Sequence, residues 1–203
     1  MKVLCDWRKL KMKCAVFASG NGSNFQALVE AFSNPKEGVE ISFLFSDHKD
    51  AYALTRAENL GIKFFAFSPQ DFKSREDYEE ALVTLCQKEK VDYILLAGYM
   101  RLIYAPLLEA FPHRIINIHP SLLPAFPGRT GIEDAFKAGV KETGVTVHYV
   151  NEEIDSGEIL SQVKVAIEED DDLDSLAQRI HQAEHRLYAS VVRQLSQAKG
   201  SKK

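Results

Sequence analysis

Cysteine is scarce in this chain: there are three, Cys5, Cys14 and Cys86, an odd number with no C-x-x-C spacing. That supports neither a disulfide framework nor a zinc site, and it suits a reducing compartment. No apolar run is long enough to span a bilayer. Met1–Lys13 is basic but has no continuous apolar core, so no secretory leader is expected. A basic excess is missing too. With 25 Lys and Arg against 29 Asp and Glu, the net charge is −4. This argues against nucleic acid or another polyanion as the main partner, because such domains carry a net basic face. Tryptophan occurs once, at Trp7, ahead of the first strand-like run. Repeats, low-complexity tracts and a convincing interdomain linker are also absent. What remains is a 203-residue chain, 45% hydrophobic and 27% charged. That is the size and balance of one globular α/β domain, expected in the cytoplasm.

Short β-rich runs alternate with helical ones. Cys14–Ala18, Ile41–Phe45, Phe64–Phe67, Tyr93–Ala97 and Ile115–His119 read as strands. Between them lie helices over Phe25–Phe32, Ala51–Leu60 (stopped by Gly61) and Ser74–Lys88. In the last of these, Ser74 and Asp77 resemble a capping box, and Tyr78, Leu82 and Leu85 follow helical spacing. This alternation argues for a doubly wound, mostly parallel sheet with helices on both faces. The rhythm then changes. After a proline-rich loop and a short helix, Ile132–Ala138, the runs Gly144–Val150 and Ile159–Ile167 flank a turn-rich stretch as a small antiparallel C-terminal annex. The final helix carries Leu173, Leu176, Ile180, Leu187, Val191 and Leu195 on one stripe. The acidic run Glu168–Asp172 precedes it, where the helix dipole favours negative charge. Residues 12–196 therefore read as a single domain. Residues 1–11 read as an extension that folds loosely or not at all, and 197–203 as a flexible tail.

Two stretches carry chemistry. Ile115–Gly128, I-I-N-I-H-P-S-L-L-P-A-F-P-G, places Asn117 and His119 two residues apart on an apolar run and then turns through three prolines. Alternate residues on a strand share a face, so an amide and an imidazole emerge side by side at a strand end. That pair suits a site that stabilises an oxyanion and moves a proton. Ser19-Gly20-Asn21-Gly22-Ser23-Asn24 links the first strand to the first helix. Its glycines allow close backbone approach, and a helix start offers free N–H groups to an anion. Ser23 and Asn24 are N-cap candidates. The run lacks the third glycine of a dinucleotide fingerprint and has no Walker lysine, which disfavours both ligands. Asp155 in Glu153–Gly157 would alone be a turn aspartate. Its claim to a role rests on pairing with His119, since an ionised carboxylate beside an imidazole favours the imidazolium.

These residues resemble the phosphoribosylglycinamide formyltransferase family of folate-dependent enzymes. The matching motifs are A-S-G-N-G-S-N (Ala18–Asn24), L-A-G-Y-M-R (Leu96–Arg101), I-N-I-H-P-S-L-L-P (Ile116–Pro124), G-V-T-V-H-Y-V (Gly144–Val150) and E-I-D-S-G (Glu153–Gly157). The resemblance runs from about Met12 to Leu195. It implies transfer of the formyl group of 10-formyltetrahydrofolate to the amine of glycinamide ribonucleotide in de novo purine (IMP) biosynthesis, without a metal. It also implies roles. Asn117, His119 and Asp155 form a catalytic trio. Gly20, Asn21, Gly22, Ser23 and Asn24 hold the ribonucleotide phosphate, and Glu184 contacts the glycinamide substrate. Arg75, Met100, Arg101, Leu102, Ile103, Asn117, Asn151, Glu152, Glu153, Ile154 and Asp155 line the folate pocket. The Leu123–Pro124 bond is expected to be cis. His181 stands where related enzymes often carry other residues and receives no role.

Neither a nucleic acid nor a membrane partner is expected, and the chain is expected to be a monomer or weak homodimer. Three rivals share parts of this pattern. A formyltransferase acting on initiator methionyl-tRNA should add an RNA-binding domain and a basic surface. A hydrolase releasing formate from formyltetrahydrofolate should add an N-terminal regulatory domain. A non-catalytic binding module would have no need of Asn117, His119 and Asp155 together.

Overall fold

A computed structural model describes residues 11–201. The expected N-terminal extension, Lys11 aside, lies outside the described residues. Seven strands form one sheet in the order β3-β2-β1-β4-β5-β6-β7. They are β1 (Met12–Phe17), β2 (Val39–Ser46), β3 (Phe64–Ala66), β4 (Tyr93–Leu96), β5 (Ile115–His119), β6 (Glu142–Tyr149) and β7 (Ile159–Ala166). The first five pair in parallel. β6 runs antiparallel to β5, and β7 antiparallel to β6. β6 and β7 form the expected antiparallel C-terminal annex, and it is continuous with the main sheet because β6 takes up the free edge of β5.

The central strands read as near-continuous apolar runs because both of their faces are covered. On one face Phe25 and Leu28 of α1 (Ser23–Ala31), Ala53 and Ala57 of α2 (Tyr52–Asn59) and Leu176, Ile180, Tyr188 and Val192 of α6 (Leu173–Ser201) pack on Val16, Leu95, Ile116 and Ile118. On the other, Tyr78, Leu82 and Cys86 of α3 (Arg75–Lys88) and Leu107 of α4 (Ala105–Ala110) pack on Phe17, Phe45, Ile94 and Ile115. A short α5 (Gly131–Lys137) follows the proline loop, whose Leu123–Pro124 bond is cis.

Two helix boundaries differ from sequence expectation. α1 is preceded by Gly22 in the left-handed region (φ 76°), so Ser23 and Asn24 are its first helical residues and do not cap it. α6 runs on to Ser201, taking in part of the expected tail, where Lys199 pairs with Asp92 at 2.5 Å. Ser74 caps α3 as expected, accepting from the Asp77 N–H at 3.0 Å. The acidic run before α6 is put to local use: Asp172 Oδ1 accepts from the Ser175 N–H at 2.8 Å, and Asp171 pairs with Arg179. Among the described residues no helix is long and apolar enough to cross a membrane.

Candidate active site

Strand order reverses between β1 and β4, so the chain leaves these neighbours in opposite directions and a crevice opens beyond their carboxyl ends. A cleft of about 830 Å³ lies there. It is lined by the Gly20–Asn24 turn after β1, the Met100–Ile103 loop after β4, Asn117 and His119 of β5, the Asn151–Asp155 loop after β6, and His181 and Glu184 of α6. The structure thus brings together every expected site residue except one. Arg75 does not line the cleft. As the first residue of α3 it lies with its guanidinium 3.8 Å from the centre of the Tyr104 ring.

At the middle of the cleft the side chains hold one another in defined orientations. His119 is 3% exposed. Its Nε2 sits 2.8 Å from the Phe126 carbonyl, which can only accept, so Nε2 carries a proton. Nδ1 faces Asp155 Oδ2 at 3.5 Å. That carboxylate oxygen also accepts from the Gly128 N–H at 2.8 Å, tying the Asp155 loop to the proline loop. Asp155 itself has φ 51°, a left-handed conformation uncommon outside glycine and the short polar residues. Two residues on, a Cβ on Gly157 would lie 1.7 Å from the Tyr149 carbonyl oxygen, so only glycine fits and the loop is pinned against β6.

A further buried residue, His148, belongs to this group and was given no role from sequence. It faces Asn117 directly across the β5–β6 ladder. Its Nδ1 donates to the Tyr149 carbonyl at 2.8 Å, which leaves Nε2 to accept from the Asn117 amide at 3.2 Å. Burial pushes the His148 pKa below the ordinary histidine value, in keeping with a neutral ring that accepts. Its Nε2 is 3.7 Å from Asp155 Oδ1. Asn117 thereby spends one amide proton on orientation and keeps the other for a group in the cleft.

One end of the cleft suits an anion. Helix α2 braces the Gly20–Asn24 turn. The Ala53 N–H donates to the Gly20 carbonyl at 3.0 Å, and Arg56 donates to both the Asn21 carbonyl and Asn21 Oδ1, each at 2.8 Å. Gly22 lies so close to α2 that a Cβ there would stand 2.6 Å from Ala53 Cβ. Across from the turn, His181 Nδ1 and Glu184 Oε2 are 2.7 Å apart, and this hydrogen bond raises the His181 pKa above the ordinary value. The other end is apolar: Met100, Leu102 and Ile154 are 48%, 49% and 59% exposed there. Large apolar side chains left in water along one cleft mark a ligand surface. Arg129, also in the lining, donates to the Met100 carbonyl at 3.0 Å and ties the two walls together. Among the described residues no group of three or more His, Cys, Asp or Glu side chains is gathered as a metal site.

Residues 12–192 match the family model described as formyl transferase. The chain is 47% identical to the phosphoribosylglycinamide formyltransferase of Bacillus subtilis over 183 residues, covering 90% of this chain and 94% of that protein. It is 44% identical to a trifunctional purine biosynthetic protein of Drosophila melanogaster, but spans only 14% of that longer protein. Among solved structures, the phosphoribosylglycinamide formyltransferase of Streptococcus pneumoniae superposes with a TM-score of 0.86 at 49% identity, covering 91% of this chain and 98% of that one.

Proposed function

The chain belongs to the formyl transferase family, and from that premise we propose that it transfers the formyl group of 10-formyltetrahydrofolate to the amine of glycinamide ribonucleotide, a step of purine biosynthesis. The observation that carries this reading is the single cleft that has an anion-suited turn at one end, an apolar wall at the other, and Asn117, His119 and Asp155 between them.

The Gly20–Asn24 turn binds the ribonucleotide phosphate at the start of α1, where opening N–H groups have no intrahelical partners. Glu184 meets the glycinamide part. Met100–Ile103 and Asn151–Asp155 receive the folate, with Met100, Leu102 and Ile154 against its flat ring. The formylfolate supplies an activated carbonyl carbon on nitrogen. The neutral amine forms a bond to that carbon, and the carbonyl electron pair moves onto oxygen. Asn117 donates its remaining amide proton to this oxyanion. A donor preorganised in this way is typically worth about 2.7–4 kcal/mol. His119 exchanges protons through Nδ1, its only nitrogen not committed to a backbone carbonyl. The proton released by the attacking nitrogen reaches the departing folate nitrogen as the C–N bond breaks, with His119 as carrier, directly or through a water ordered by Asp155. Asp155, anchored by the Gly128 N–H, balances the imidazolium charge. The chain acts as a monomer or weak homodimer in the cytoplasm.

The test is to incubate the purified chain with 10-formyltetrahydrofolate, with and without glycinamide ribonucleotide. Formylated ribonucleotide that appears only with both substrates supports the reading. Formate released regardless of the ribonucleotide would replace it with a hydrolase. Ligand binding without any turnover would indicate a binding module.

A further inference from the structure

We propose that Asp47 is a positioning residue shared by the two substrate half-sites, setting the spacing between the phosphate turn and the folate loop. The proposal rests on the functional reading above for what the two half-sites bind. Asp47 follows β2 and is 1% exposed, yet it does not line the cleft. Its Oδ1 accepts from Ser19 Oγ at 2.6 Å. Its Oδ2 accepts from Arg101 Nε at 2.7 Å, with the exposed His48 Nε2 3.3 Å away. Ser19 immediately precedes the phosphate turn, and Arg101 sits within the folate loop.

The Ser19 hydroxyl has a single proton, and giving it to Asp47 leaves its lone pairs for other donors. One of these accepts the Met100 N–H at 2.8 Å. The Ser19 N–H donates in turn to the Gly98 carbonyl at 3.0 Å. A continuous chain of bonds therefore runs from the turn through Ser19 and Asp47 to Arg101, with Met100 bonded directly to Ser19. A buried carboxylate is costly unless its oxygens are fully engaged, and here each oxygen meets one side of the cleft. The carboxylate has acceptors only, and both half-sites present donors to it. An amide of the same shape is a weaker substitute: with its oxygen turned to the Arg101 Nε–H, its NH₂ faces Ser19 Oγ, which must then accept instead of donate, and the carboxylate charge is lost from both bonds.

Asp47→Asn and the milder Ser19→Ala test this with two readouts. In steady-state assays the KM for the ribonucleotide and for the formylfolate should both rise, by about tenfold, the scale of one charge-assisted hydrogen bond. The kcat should stay within a few-fold, because no group at the reacting atoms is touched. Without any substrate, exchange of the Met100 amide hydrogen should accelerate in both variants while amides in the strand interiors keep their wild-type rates. That second readout is independent of what the cleft binds, so it fails separately from the functional reading. A lowered melting temperature with both KM values unchanged would overturn the proposal by making Asp47 merely structural. A rise in only one KM, or unchanged Met100 exchange in Ser19→Ala, would overturn it too.

Discussion

Each side chain at the centre of the cleft has its freedom removed by a named neighbour. His119 gives Nε2 to a backbone carbonyl and turns Nδ1 to Asp155, while His148 gives Nδ1 to a carbonyl and turns Nε2 to Asn117. His148→Ala should therefore leave Asn117 free to rotate. An orienting hydrogen bond is worth about 0.5–1.5 kcal/mol, so kcat should fall up to about tenfold with little change in KM. An equal loss in KM would mean that His148 serves binding instead. A second expectation concerns pH. The Glu184 hydrogen bond raises the folded His181 pKa above 6.5. Its contribution to stability is then fully present below pH 6.5 and fades as pH rises through the raised folded value. In thermal unfolding from about pH 6 to about pH 8.5, the deficit of His181→Gln against wild type should shrink as pH rises. A constant deficit would contradict the pairing. Asn117 and His119 were legible from sequence because a two-residue period on a strand is unambiguous. His148 was not, because its place opposite Asn117 exists only once β6 turns antiparallel and its register is set. Arg75 was carried over from a resemblance with no local pattern behind it, and it lies outside the cleft.

At the scale of elements, the Gly20–Asn24 turn is a strand-to-helix junction shaped by packing against α2. Gly22 combines φ 76° with contact to Ala53. Gly22→Ala should cost about 1–3 kcal/mol in backbone strain alone. If that strain moves the turn, the ribonucleotide KM should rise about tenfold or more while formylfolate affinity changes much less. Equal losses for both ligands would show a general collapse of the cleft. The strands and the long helices were legible because their apolar periods run for many residues. α4 was missed because Ala105–Ala110 is six residues long, too short to show a period. The start of α1 was displaced because Ser23 and Asn24 have cap chemistry, yet the φ above zero demanded at the junction selects Gly22 for that place.

The whole molecule is one sheet with its site at the reversal of strand order, closed on one side by α6. Tyr188, buried in that helix, has its hydroxyl 3.1 Å from the Leu96 carbonyl and 2.9 Å from that of Ile116, the two strands that lead into the site. Doubly wound topology was legible from the alternation of elements. The continuity of the sheet through β6 and β7 was not, because the period of a strand says nothing about which neighbour it joins. That continuity matters for function: it is β6 that delivers His148 and the Asp155 loop to the face of β5 that carries Asn117 and His119. The central claim is that this convergence performs the transfer. The most direct test is single-turnover formyl transfer by His119→Ala and Asp155→Ala, with the affinity for each substrate measured alongside. Turnover is expected to fall by about 10²–10⁴ in each variant, the typical worth of a positioned acid–base group, with affinities within a few-fold of wild type. Full turnover in either variant would contradict the assignment.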